Sequence, residues 1–115
     1  MQFSKSLKKS HIFRRLYRKG RSAANGYLVL YCRKNGTGEN RVGLTVSSKL
    51  GCAVVRNRVR RRLREIYRLN ESRFRPGFDL VVVARSRAIG ASFSQLTGAY
   101  LSLADKLGLL REDKP

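Results

Sequence analysis

Residues 53–67 read AVVRNRVRRRLREIY, with six arginines and one acid, Glu65, in fifteen positions. Like charges this crowded repel one another and oppose folding, so the segment implies a partner rich in negative charge. At about 100° per residue the stretch makes a helix with two faces. Val55, Val59, Leu63, Ile66 and Leu69 form an apolar stripe. Asn57, Arg60, Arg61, Arg64 and Arg68 gather opposite it, with Arg56 at their border and Arg58 and Arg62 flanking the stripe. Such a helix needs an apolar surface to cover and turns its basic face outward.

The segments on either side supply that surface. Arg41–Ser47 (RVGLTVS) reads as a strand before the helix. Phe78–Arg85 (FDLVVVAR) reads as one after it, set off by the chain-breaking Arg75-Pro76-Gly77. An earlier strand, Tyr27–Arg33 (YLVLYCR), is separated from the second by the turn NGTGEN at residues 35–40. Strand alternation puts Leu28, Leu30 and Cys32 on one face and Tyr27, Val29, Tyr31 and Arg33 on the other. Likewise Val42, Leu44 and Val46 alternate with Arg41, Gly43, Thr45 and Ser47. One sheet face is thus aliphatic and matches the helix stripe. The other mixes aromatic, small and basic groups.

A first helix is predicted over Ser10–Lys19, with Ser10 as its cap, Ile12, Phe13, Leu16 and Tyr17 at helical spacing, and Gly20 as its stop. A last helix follows Ser92, with Phe93, Leu96, Tyr100, Leu103 and Leu107 on one stripe. The order helix, two strands, helix, strand, helix is an α+β sandwich of a sheet and helices. The length of 115 residues suits one domain, 1–115, with a loose tail from about residue 109.

The whole chain carries 26 Lys and Arg against 7 Asp and Glu, a formal charge of +19. Nucleic acid is the usual partner of so basic a domain, an anionic membrane surface the less usual one. Disorder would also carry such charge, but 42% hydrophobic residues in periodic blocks argue for a folded chain. A merely solvated helix face would mix its signs, and arginine's planar fork grips phosphate at two points as lysine cannot. A membrane helix would need a free stripe, whereas this one is matched to the sheet. The longest aliphatic run, Leu80–Ala84, is far too short to span a bilayer, and the basic N-terminal segment lacks the apolar run of a signal peptide. Cys32 and Cys52 show no C-x-x-C spacing, so both are read as reduced thiols of a soluble, cytoplasmic protein, without disulfide or zinc.

The acids Glu39, Glu65, Glu71, Asp79, Asp105, Glu112 and Asp113 are scattered along the chain, and the sole histidine, His11, has no evident partner. A metal-dependent nuclease needs clustered carboxylates. No catalytic residue and no metal ligand is therefore assigned, which argues against a self-contained active site.

The run KLGCAVVRNRVRRRLRE at residues 49–65 resembles the signature of the bacterial ribonuclease P protein family, with its Arg-Asn-Arg core at Arg56, Asn57 and Arg58. RVGLTVSSKLG, FRRLYRKGRS, YLVLY and DLVVVAR extend the resemblance over roughly residues 7 to 105. Cys52 stands where the family commonly has Asn, and Ser48 where it often has a basic residue. The resemblance implies a ribosomal-protein-like α+β fold in which the arginine helix links two parallel strands by a left-handed crossover, against the usual right-handed rule. It further implies an accessory protein of a ribonucleoprotein that hydrolytically removes 5′ leaders from precursor tRNA. The RNA subunit would be the catalyst, with Mg2+ held mainly by RNA and substrate. Arg56, Asn57, Arg58, Arg60, Arg61, Arg64 and Arg68, with Lys49 in the preceding loop, would dock on that RNA. Phe13, Tyr17, Tyr31 and Arg33 would line a cleft for the single-stranded leader, where bases stack on aromatics. Phe13 has an alternative reading as core. No protein partner is implied. The other functional readings are a ribosomal protein that binds rRNA structurally and, more remotely, a stand-alone nuclease.

Overall fold

The computed structural model describes the backbone of residues 4–6 and 10–12 and, with side chains, residues 13–111. In chain order the elements are β1 (Ser4–Ser6), α1 (Ser10–Lys19), β2 (Arg21–Ala24), β3 (Leu28–Lys34), β4 (Asn40–Thr45), α2 (Ala53–Asn70), β5 (Phe78–Ala84) and α3 (Phe93–Lys106). One five-stranded sheet runs in the order β1-β4-β5-β3-β2. β5 is at its centre, antiparallel to β3 and parallel to β4, with Val81 opposite both Tyr31 and Gly43. α2 is therefore the connection between two adjacent parallel strands, as the resemblance implied.

Helices cover both faces of the sheet. Leu28, Leu30, Cys32, Val42, Leu80 and Val82 meet Val59, Leu63 and Ile66 of α2 and Leu96, Tyr100 and Leu103 of α3 in the main core. On the opposite face α1 buries Leu16 against Val81, with Phe13, Tyr31 and Val83 packed around them. Covering on both sides explains why β5 reads LVVV rather than alternating. Gly20 lets α1 come down onto the sheet: a Cβ there would lie 2.6 Å from the Leu16 carbonyl oxygen and 2.9 Å from that of Cys32. Alanine would collide with main chain on both sides.

Several expectations are corrected. Leu69 is 56% exposed, and Tyr67 takes its place in the core at 1%. Tyr67 can do so because its hydroxyl accepts a hydrogen bond from Asn40 Nδ2 at 3.1 Å. Asn40, expected in the turn, instead opens β4, and its Oδ1 accepts from the Phe78 amide at 2.9 Å. Phe93, expected on the α3 stripe, sits 38% exposed in the first helical turn, while Leu96, Tyr100, Leu103 and Leu107 are buried. Residues 109–111, at the start of the expected tail, are packed against the domain. Leu109 is buried, Leu110 bridges Phe74, and the Arg111 amide donates to the Arg73 carbonyl at 2.6 Å. Residues 112–115 lie outside the described residues.

Candidate nucleic-acid interface

The turn before α2 is built to start the helix sharply. Ser47 Oγ accepts from the Lys49 amide at 3.2 Å and closes a single 3-10 turn, Ser48–Leu50, that holds Lys49 exposed. Gly51 then adopts φ 148°, a conformation disfavoured for a side chain, and a Cβ there would press on Val55 at 3.2 Å. Cys52 is the cap residue, exposed, with no side-chain hydrogen bond of ordinary geometry. The amides of Val55 and Val54 nonetheless draw its thiol pKa below the usual value, helped by Arg56. The first turn of α2 has no acid to offset its amide dipoles.

Along the outer side of α2, Asn57, Arg60, Arg61 and Arg64 line one concavity with Val54. Spacings of three and four residues stack them on successive turns. Arg60 Nη1 donates to Asn57 Oδ1 at 3.2 Å, so the asparagine aims the arginine. Arg56 is braced by a 3.2 Å bond from its Nε to the Gly51 carbonyl, and Arg58 is exposed toward the helix flank. Arg62 is a structural tie, donating to the Ala91 carbonyl at 2.9 Å. Arg68, one turn beyond Arg64 and exposed, is paired within the helix. Glu65 holds its guanidinium at two points, 2.8 and 2.6 Å. Each group stabilises the other's charge: Arg68 pulls the Glu65 carboxyl below its ordinary range, and Glu65 raises Arg68.

The second surface lies across the sheet, where α1 crosses β3. Tyr17 meets Phe13 at 6.5 Å between ring centroids and Tyr31 at 4.8 Å. Phe13 and Tyr31 are half-buried, while Tyr17 is 42% exposed. Phe13 thus joins the small core around Leu16 and Val81 and also edges the exposed aromatic group. Arg33 follows Tyr31 on the same strand face but stands opposite Asp79, which Arg41 grips at two points, 2.7 and 2.8 Å. Asn35 Nδ2 donates to the same carboxylate at 3.1 Å. The three aromatics are brought together; Arg33 is set further along, on the rim of a different hollow.

Two further features border these surfaces. Thr45 Oγ1 lies 3.3 Å from the Tyr17 hydroxyl and fixes that ring. Arg14, Arg15, Arg18 and Lys19 form an exposed basic edge on α1. Its signal was present in FRRLYRK, where these cations interleave with Phe13, Leu16 and Tyr17. Among the described residues no three His, Cys, Asp or Glu side chains are grouped to hold a metal ion. No helix among them is long and apolar enough to cross a membrane.

Comparisons with known proteins bear on these surfaces. A family model described as Ribonuclease P matches residues 1–108. The chain is 43% identical over 104 residues to a protein named ribonuclease P protein component in Alkaliphilus oremlandii, spanning 90% of this chain and 91% of that one. It is also 43% identical over 112 residues to the protein of that name in Lachnoclostridium phytofermentans, spanning 97% of each. Among solved structures, an RNase P protein from Staphylococcus aureus superposes with a TM-score of 0.86 at 31% identity, covering 94% of this chain and 99% of that one. The RNase P protein of Thermotoga maritima gives 0.79 at 32% identity, covering 85% and 93%.

Proposed function

We infer that this chain, which belongs to the ribonuclease P protein family, binds a catalytic RNA through α2 and holds the 5′ leader of precursor tRNA on the face covered by α1. Family membership decides against the ribosomal-protein reading. The observation that carries the proposal is the outer stripe of α2. Asn57, Arg60, Arg61 and Arg64 share one concavity whose lining holds no acid, on a helix whose other side is committed to the core. Phosphates would be met there by guanidinium forks and, at the helix start, by main-chain amides.

The two surfaces lie on opposite faces of the sheet, with α2 over one and α1 over the other. A protein so arranged bridges. It anchors on the catalytic RNA with one face and offers the leader a stacking site on the other. Leader binding energy, remote from the scissile phosphate, then positions the substrate at the RNA's reaction centre. In this reading the magnesium of the holoenzyme would be held mainly by RNA and substrate. The setting would be the bacterial cytoplasm, where precursor tRNA is processed.

Reconstitution tests the reading. Purified protein alone should leave precursor tRNA intact, and added to a catalytic RNA at low magnesium it should enable or accelerate 5′ cleavage. Robust magnesium-dependent cleavage by the RNA-free protein would overturn it.

A further inference from the structure

A separate hollow of ≈ 560 Å³ opens at the end of the sheet where β2 begins, β3 ends and α3 terminates. That volume falls within the range of roughly 300–1,000 Å³ typical of small-ligand pockets. Arg21, Arg33, Lys34, Arg75 and Lys106 contribute to its lining. Phe78, Leu107 and Cys32 supply apolar wall, and burial pushes the Cys32 thiol up, so it stays neutral there. The hollow is braced rather than loose. Phe78 is paired with Lys34 across the sheet, Arg75 Nε donates to the Leu110 carbonyl at 3.2 Å, and Gly108 turns the chain at φ 71°. Asp105 is the sole carboxylate among five cations on the lining.

We propose that this hollow binds a nucleoside phosphate, with the base against Phe78 and Leu107 and the phosphate among Lys34, Arg75 and Lys106. The combination selects the ligand class. An inorganic anion would satisfy the cations but leave the aromatic and aliphatic wall in water. An apolar ligand would leave five cations without a counter-charge. A nucleotide meets both, and Asp105, able only to accept, suits a base edge that presents N–H donors, as guanine does. The site is distinct from the stripe on α2 and from the Phe13–Tyr17–Tyr31 group, and its existence does not depend on either assignment. The same chemistry is offered by a free nucleotide and by one nucleotide of an RNA strand.

The test titrates the full-length protein by calorimetry with GMP, inorganic phosphate and a guanosine-containing tetranucleotide. Lys34→Ala/Lys106→Ala removes two exposed cations from the hollow. Arg85→Ala/Arg87→Ala removes the same charge from exposed positions past the opposite end of β5 and serves as the control. The expected result is GMP or tetranucleotide binding at least tenfold tighter than phosphate. Binding should weaken at least tenfold in the first variant and much less in the second, with amide shifts at Leu107 and Gly108. Binding of GMP itself assigns the site to free and strand nucleotides alike, and binding of the tetranucleotide alone assigns it to a strand. Equal binding of phosphate and nucleotide, equal losses in both variants, or no binding overturns the proposal.

Discussion

Tyr17 of α1 meets Tyr31 of β3 edge to face, with ring centroids 4.8 Å apart and planes inclined at 69°. The Tyr17 hydroxyl lies 3.3 Å from Thr45 Oγ1, so the ring is held from both ends. An arrangement of this kind holds exposed aromatic surface in place, so a ligand stacking there would need no further ordering of the protein.

Replacing Tyr31 with alanine should weaken holoenzyme binding of a leader-bearing precursor tRNA by about 1–3 kcal/mol. Tyr31→Phe should cost much less, because the ring supplies the stacking. Affinity for the RNA subunit should hardly change. Measuring binding of precursor tRNA with and without its leader checks this, with folding verified by circular dichroism. Equal losses on both substrates, or none, would move the leader elsewhere.

Arg60, Arg61 and Arg64 should each contribute to the salt dependence of RNA-subunit binding. Each Arg→Ala change is expected to reduce the slope of log affinity against log salt by about one unit. Arg→Lys should restore part of the charge contribution but not two-point geometry. An unchanged slope in the triple alanine variant would make this a solvated face.

Glu65 restrains Arg68 at 2.6 and 2.8 Å. Glu65→Gln should release that guanidinium toward RNA, strengthening RNA-subunit binding severalfold and steepening the salt slope by about one unit. Acid should act in the same direction. The folded-state pKa of Glu65 is depressed, so its pairing is present above the unfolded value and lost as pH falls through the folded one. Both groups are solvent-exposed, and thermal stability should change little. If Glu65→Gln leaves RNA affinity and slope unaltered, Arg68 is outside the interface.

The Tyr100 hydroxyl is buried with no hydrogen-bond partner among the described residues, and its ring packs against Phe74 at 6.1 Å. Tyr100→Phe should keep the packing and remove the orphaned group, raising stability by about 1 kcal/mol in urea unfolding. Burial, and secondarily Tyr67, holds the Tyr100 pKa far above its ordinary value. Ionisation is then confined to the unfolded chain, so native stability should fall as pH climbs past the unfolded tyrosine value of about 10. Tyr100→Phe should remove that part of the alkaline loss. A destabilised Tyr100→Phe variant would mean that the hydroxyl has a partner after all.

By itself the sequence determined the elements with a strong period. The stripe Val59, Leu63 and Ile66, the alternation Leu28, Leu30, Cys32, and the LVVV run of β5 each specify which side must leave water. Hydrophobic burial acts on local pattern, so local pattern reveals it. The basic face of α2 was legible for the same reason, since what opposes the core stripe must face out. Only the tertiary structure decided the remainder. β1, SKS, carries no apolar alternation and exists because main-chain groups of β4, 36 residues further along, pair with it. Tyr67 displaced Leu69 from the core because Asn40, 27 residues away, satisfies its hydroxyl. Arg33 sits on the rim of another hollow, among residues from the ends of β2 and α3. Those outcomes rest on which polar atoms meet at hydrogen-bond distance, and no periodicity along a chain encodes a meeting between segments remote in sequence.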